Sequence, residues 1–352
     1  MFNFDKRFVL ILFALLLTVF PAGPSQAAAD LATVTAVAQY EGPDRDQRLL
    51  EGAKKEGTLT LYTSIAAKDV KSITSGFEKK YGIKVNVWRA SVNDVLQRIM
   101  SETAANRFDF DVVSMSTPEM EALNREKLLQ EVRDPHFKDM NPAALPANRT
   151  WAGIYINCYA LAYNLNKVKK EELPKNYRDL LDPKWKGRLG IEVKSQEWFY
   201  ALVKDMGEEK GLKFFRDLVA INNPSGRSGH SVLNNMVVAG DVPFAINVYH
   251  YLPMQSKQEG APVDWFTLEP TIASSFGVGL SKRASRPNAA LLFYDYLITD
   301  AQKLFISQLR VPTNRKYDSP FKNLKMRLLD PVAVLNEYEK ASKLFEDVLL
   351  KK

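Results

Sequence analysis

From Thr58 onward the chain keeps switching between two hydrophobic periods, and this alternation restricts the fold more than any single motif. Thr58–Thr63 (TLTLYT) alternates apolar and polar residues, the period-two pattern of a strand, and runs into a small polar loop, Ser64 to Ala67. Val70, Ile73 and Phe77 then share one helical face, and Gly82 after Tyr81 marks the helix end. A second strand over 83–88 leads to Ser91, which caps a helix carrying Val92, Val95, Leu96, Ile99 and Met100 on one stripe. A third strand over 111–115 precedes Thr117-Pro118, an N-cap followed by proline at the first helical position. Strand–helix–strand–helix–strand in this order predicts a parallel sheet with right-handed crossovers.

The run Trp151–Asn164 breaks the alternation. It is rich in Tyr, Ile, Ala and Asn and too long for one ordinary strand, so it reads as a connection between two lobes. A second α/β set follows, with a strand over 188–193 and a helix over 196–205. Two more helices are marked by Leu212, Phe215, Leu218 and Val219, and by Val232, Leu233, Met236 and Val237. Strands are predicted over 242–247 and 263–268. Ser274–Leu280 reads as a return strand into the first lobe, Pro287 opens a further helix, and the tail 325–352 is largely helical. The expected division is lobe 1 from 28–152 with 273–352, and lobe 2 from 153–272.

Ahead of all this, Lys6 and Arg7 precede an apolar run from Phe8 to Phe20, then Pro21, Gly23, Pro24 and the small-residue stretch Ser25-Gln26-Ala27. That is the pattern of a cleaved secretory leader over 1–27, and the run is shorter than the ~20 residues of a spanning helix. The single cysteine, Cys158, can form no internal disulfide and reads as a buried apolar residue. With 46% hydrophobic and 25% charged residues the chain is an ordinary globular protein. Its bases are scattered rather than striped with aromatics, so the net charge of +7 does not point to nucleic acid.

In open α/β sheets, ligands sit beyond the carboxyl ends of the strands, near helix N-termini. Five loops qualify: 64–68, 114–117, 194–198, 229–231 and 247–251. The candidate ligand residues on them are Ser64, Ser116, Ser195, Trp198, His230, Asn247, Tyr249 and His250. Ser195, ahead of a helix, would join free backbone N–H groups in holding an anion. Tyr249 and His250 form the best polar-aromatic pair, whereas Tyr251 is read as packing. The three histidines, His136, His230 and His250, make no zinc or catalytic spacing, and no hydrolase, Walker or dinucleotide motif occurs. No catalytic residue, resident metal or cofactor is expected.

The stretches 58–88, DFDVVSMS (109–116), LDPKWKGRLGI (181–191), 232–252 and 274–298 resemble the iron(III)-type family of periplasmic solute-binding proteins of ABC transporters. The turn Asp182-Pro183-Lys184-Trp185-Lys186-Gly187 and the step Gly240-Asp241-Val242-Pro243 are the more specific matches. The resemblance implies a type II two-lobed periplasmic-binding-protein fold, each lobe a mainly parallel sheet flanked by helices, joined by hinge strands. It also implies a monomer in the periplasm that closes on a small solute and docks on a membrane permease.

Ferric binders of that family carry adjacent tyrosines where this chain has Tyr249 and His250. Where they carry further ligands, this chain has Ala66 or Ala67, Ser116 and Trp198. The family's anion-holding positions match at Ser195 and Asn247, with His230 replacing an Asn. The solute expected on these grounds is a small organic anion or zwitterion, such as a phosphonate or phosphate ester. The alternatives are ferric iron on an unusual ligand set, a thiamine-type cation, or a periplasmic enzyme or signalling module on the same scaffold. A polyamine would need acids in the cleft, and this reading places none there.

Overall fold

The computed structural model describes residues 33–350, so the expected leader lies outside the described residues. A helical stretch at 33–38 and α1 (Arg45–Glu56) lead into the first lobe. There β1 (Thr58–Thr63), α2 (Ala67–Tyr81), β2 (Lys84–Arg89), α3 (Val92–Ala104), β3 (Val112–Ser116) and α4 (Thr117–Arg125) follow in order. β1 pairs parallel with both β2 and β3, as the alternation requires. Ser91 caps α3 by accepting from the Asp94 N–H, and α2 ends at Gly82 with φ 70°, where a Cβ would be strained.

The run Trp151–Asn164 is one continuous strand, β4, with all fourteen residues buried. Burial on both faces explains its unbroken apolar reading. Its first half pairs antiparallel with β9 (Thr271–Leu280), from Trp151 opposite Gly279 to Cys158 opposite Ala273. Its second half, from Tyr159, pairs with β7 (Phe244–Tyr249) and with β8 (Val263–Phe266). One strand thus belongs to two sheets, and β9 completes the first sheet antiparallel to β3. β9 begins three residues earlier than expected because β11 (Met326–Leu328) pairs with Thr271–Ala273 and extends the ladder.

The second lobe carries β5 (Leu189–Glu192), α5 (Gln196–Met206), α6 (Glu208–Asn222), β6 (Ser225–Arg227) and α7 (His230–Ala239). β5 pairs parallel with β6 and β7. After β7 the chain turns into α8 (Tyr251–Gln258). The remaining elements are α9 (Pro287–Ile298), α10 (Ala301–Ser307), β10 (Val311–Pro312), which pairs with β4, and α11 (Pro331–Phe345). The two lobes are therefore α/β, each with parallel strands of its own, joined by antiparallel hinge strands.

Each sheet is covered on both faces. Phe77, Ile73, Leu291 and Phe293 fill one side of the first lobe, and Tyr62, Ile99 and Met120 the other. In the second lobe Trp185, Trp198, Phe215 and Phe244 pack on one side and Leu233, Val237 and Val248 on the other. Between the lobes, Ile156, Cys158, Ala273, Val311 and Phe321 form a small core around the hinge strands. Cys158 is buried as expected, and burial pushes its thiol up to about 12.

Candidate functional site

Two helices, one from each lobe, place an acid in their first turn. Glu119 stands in α4 and Glu197 in α5, and their charges oppose one another. Burial raises the pKa of both, that of Glu197 to about 7. Each carboxylate also accepts from its own backbone N–H, so the free donors of the two helix ends are partly used by the chain itself. Ser116 donates to Glu119 Oε2 at 2.5 Å.

Tyr159, the first residue of β4 past the handover, donates its hydroxyl to Glu197 Oε1. Its hydroxyl also pairs with that of Tyr249 at the end of β7. Ser274 of β9 in turn hydrogen-bonds Tyr249. The two phenol rings lie 5.1 Å apart, and His230 lies over Tyr249 at 3.9 Å. Burial is the main reason both phenols stay protonated well above their ordinary range. His230 Nδ1 lies 3.2 Å from the Asn247 carbonyl, which assigns that nitrogen the proton and leaves Nε2 as an acceptor. Burial lowers the His230 pKa, so the ring is neutral.

Behind this row sits Glu192, at the end of β5 and 1% exposed. It accepts from the Lys194 N–H at 2.8 Å, the Ser195 hydroxyl at 2.6 Å and the Gly229 N–H at 2.9 Å. Of these donors, the Ser195 hydroxyl is the one that sequence reasoning assigned to a bound anion. The chain fills that cradle with its own carboxylate. Asn247 is likewise committed: its amide exchanges two hydrogen bonds with the Glu192 backbone, at 2.7 and 3.1 Å, and so joins β5 to β7.

The structure brings His230 and Tyr249 together as expected, with Ser195 and Asn247 one layer behind them. Ser116 lies on the first-lobe side, and Ser64 ends β1 there with its N–H on the Ser114 carbonyl. Two candidates do not face the cleft. Trp198 is 1% exposed and packs in the second-lobe core against Phe215, with the Tyr159 ring 6.3 Å away on its site side. His250 is fully buried, accepts from the Cys158 N–H at 3.2 Å and meets Phe321 edge-on. Its burial, reinforced by Arg310, lowers its pKa to about 4. The reason is local: the strand stops at Tyr249, and the following residue turns its ring to the hinge.

Tyr251, read as packing, instead opens α8, 6.3 Å from Tyr249 and stacked near-parallel with it. Its other face covers the Arg310 guanidinium at 4.0 Å, and Arg310 is paired with Asp69 at 2.7 Å.

Sequence reasoning missed Tyr159, Glu119, Glu192 and Glu197, and the inference of a cleft without acids is corrected by the last three. Glu197 had a usable signal, an acid two residues into the helix after Ser195. Tyr159 had none, lying within a uniformly buried strand. Among the described residues no group of three or more His, Cys, Asp or Glu side chains could hold a metal ion. The convergent donors are instead two carboxylates and two phenols, all oxygen, with one neutral imidazole beside them.

The family model for bacterial extracellular solute-binding proteins matches residues 110–328. "Iron uptake protein A1" of Synechocystis is 25% identical over 285 residues, covering 76% of this chain and 78% of that protein. The "Fe(3+)-binding periplasmic protein" of Serratia marcescens is 28% identical over 205 residues, 58% of this chain and 60% of that one. Among solved structures, iron-bound HitA from Pseudomonas aeruginosa superposes with a TM-score of 0.74 at 27% identity, covering 83% of this chain and 99% of that one.

Proposed function

The chain belongs to the bacterial extracellular solute-binding protein family, and on that footing we propose that the solute it carries for an ABC importer is a hard, oxygen-seeking cation, ferric iron first. The observation that carries this reading is the oxygen row Glu119, Glu197, Tyr159 and Tyr249, which has no free cation among its partners. The two facing carboxylates, Glu119 and Glu197, disfavour an anion and favour a cation between them. Phenolate and carboxylate oxygens are the donors a small, highly charged cation prefers. The organic-anion expectation loses its support because Ser195 and Asn247, the residues it needed, already serve Glu192. That the two relatives and HitA are described as iron proteins agrees with the cation reading.

In this reading the leader over 1–27 is removed and a monomer works in the periplasm, closing lobe 2 (153–272) onto lobe 1 (28–152 with 273–352) before docking on a permease. Tyr159 and Tyr249 would release their protons to water or to the delivering citrate as the metal binds, because a bound cation inverts the pKa logic that now keeps them neutral.

The test is titration of purified protein with ferric citrate. A visible phenolate-to-iron absorbance is expected in the wild type, is expected to weaken and shift in Tyr249→Phe, and is expected to vanish only when Tyr159→Phe is added. A colourless wild type that binds a phosphonate or sugar phosphate tightly would sink the cation reading and restore the anion.

A further inference from the structure

The two acid-bearing helices are not left to find their spacing alone. α11 packs against both α4 of the first lobe and α5 of the second. It starts from the hinge: β11 pairs with β9, Leu329 donates its N–H to the Ala273 carbonyl, and Asp330 caps the helix by accepting from the Val332 N–H. Its C-terminal half is fixed in the second lobe. Ala341 and Phe345 are buried in that lobe's core, Phe345 edge-on to Phe199 at 5.3 Å. Lys204–Glu337 at 2.7 Å and Lys340–Glu208 at 2.6 Å add surface ion pairs on the same side.

The hold on the first lobe is different in kind. Arg125, the last residue of α4, donates to the Asn336 side chain at 2.7 Å, an exposed contact. Between α5 and α11, along Ala333 to Ala341, lies a groove of about 230 Å³, lined by Tyr200, Leu328, Val334 and Tyr338 and also by Glu197. Close packing would weld the helix to α5 along its whole length. The groove leaves α11 loosely packed on α5 over that stretch, while Phe345 beyond it is fixed in the second-lobe core.

We propose that α11 is an interlobe clasp, and that Arg125 and Asn336 are positioning residues which hold Glu119 of α4 against Glu197 of α5 in the closed cleft. The functional half of this inference rests on the acids being the cargo's carboxylates; the clasp itself does not. An exposed bond to a charged group contributes modestly, so its loss should speed cargo release by about threefold to tenfold and leave capture unchanged. A defect of folding would instead lower the melting temperature and disturb both rates.

The experiment has a readout that needs no cargo. Spin labels are placed at Val87→Cys in the first lobe and Leu165→Cys in the second, both exposed, while Cys158 is buried and escapes labelling. Interlobe distances are measured in the empty protein. Arg125→Ala and Asn336→Ala are expected to lengthen them and Arg125→Lys to restore them. Release is then timed from the ferric-loaded protein into a strong chelator; the alanine variants should be faster and Arg125→Lys close to wild type. Unchanged distances in both alanine variants would overturn the clasp. If wild-type protein takes no iron while the distances shift as expected, the cargo reading fails and the clasp stands.

Discussion

The second-lobe lip of the cleft holds Tyr159, Glu192, Glu197, His230 and Tyr249 in a connected network, each side chain oriented by the next. The first-lobe lip presents Ser64, the exposed Ala66 and Ala67, and Ser116 with Glu119. The two lips divide the work between them. A lip already ordered by its own hydrogen bonds loses little entropy when a solute arrives, whereas a lip of small residues contributes chiefly by closing. In the proposed reading, recognition is written in the second lobe, and the first supplies one acid and the shutter.

This comparison breaks if the two lips respond alike to substitution. The largest effect should come from Glu197→Gln, which removes a charge without changing shape. Losing a charged, partly buried partner costs ~2–5 kcal/mol, so ferric affinity measured by chelator competition should fall by roughly thirtyfold or more. Glu119→Gln on the other lip should cost less, about tenfold. A larger loss at Glu119 than at Glu197 would invert the assignment.

Acidity sharpens the contrast next. The Glu197 pKa is raised in the folded protein, so between its ordinary value and about 7 the folded state keeps a proton that the unfolded chain has lost. Stability of the empty protein should fall as pH rises through that window, and Glu197→Gln should flatten the slope in melting curves. Cation affinity should run the opposite way, rising as pH passes about 7, because the cation competes with that proton.

Ser195→Ala comes third, and its effect belongs to stability. Glu192 would lose one of three donors, at a cost of ~1.5–3 kcal/mol, read as a lower denaturation midpoint with affinity shifted only slightly. A large affinity loss without destabilisation would show that Ser195 faces the solute after all. The smallest effect is expected for Ser64→Ala, within about twofold in affinity by calorimetry, since surface changes of this kind stay within ~0.5 kcal/mol.

Much of this could be read from the chain before any coordinates. Hydrophobic period gave the parallel strands and helices of both lobes, because a face that must be buried leaves a repeat of two or 3.6. Tyr249 was visible because it ends a strand. His250 and Trp198 were misplaced for one reason: a single residue's turn decides which way a side chain looks, and period cannot fix where a strand stops. Glu192 was invisible for another. Its partners, the N–H groups of Lys194 and Gly229, meet only once β5 and the loop before α7 lie side by side. The single strand β4 was read as a connection because few strands run fourteen residues, and here two sheets share the length.

That shared strand also orders events in time as the chain folds. The parallel strands of the second lobe, together with the second half of β4, come from one contiguous stretch, 159–266, and can pair soon after they are made. The first lobe cannot finish its sheet so early. β3 and the first half of β4 both wait for β9, and closing that loop spans more than a hundred residues. Phe345 reaches the second-lobe core later still. The half whose sheet needs no distant strand is the half that holds the donors, so its recognising surface can be complete before the first lobe has finished the sheet that closes over it.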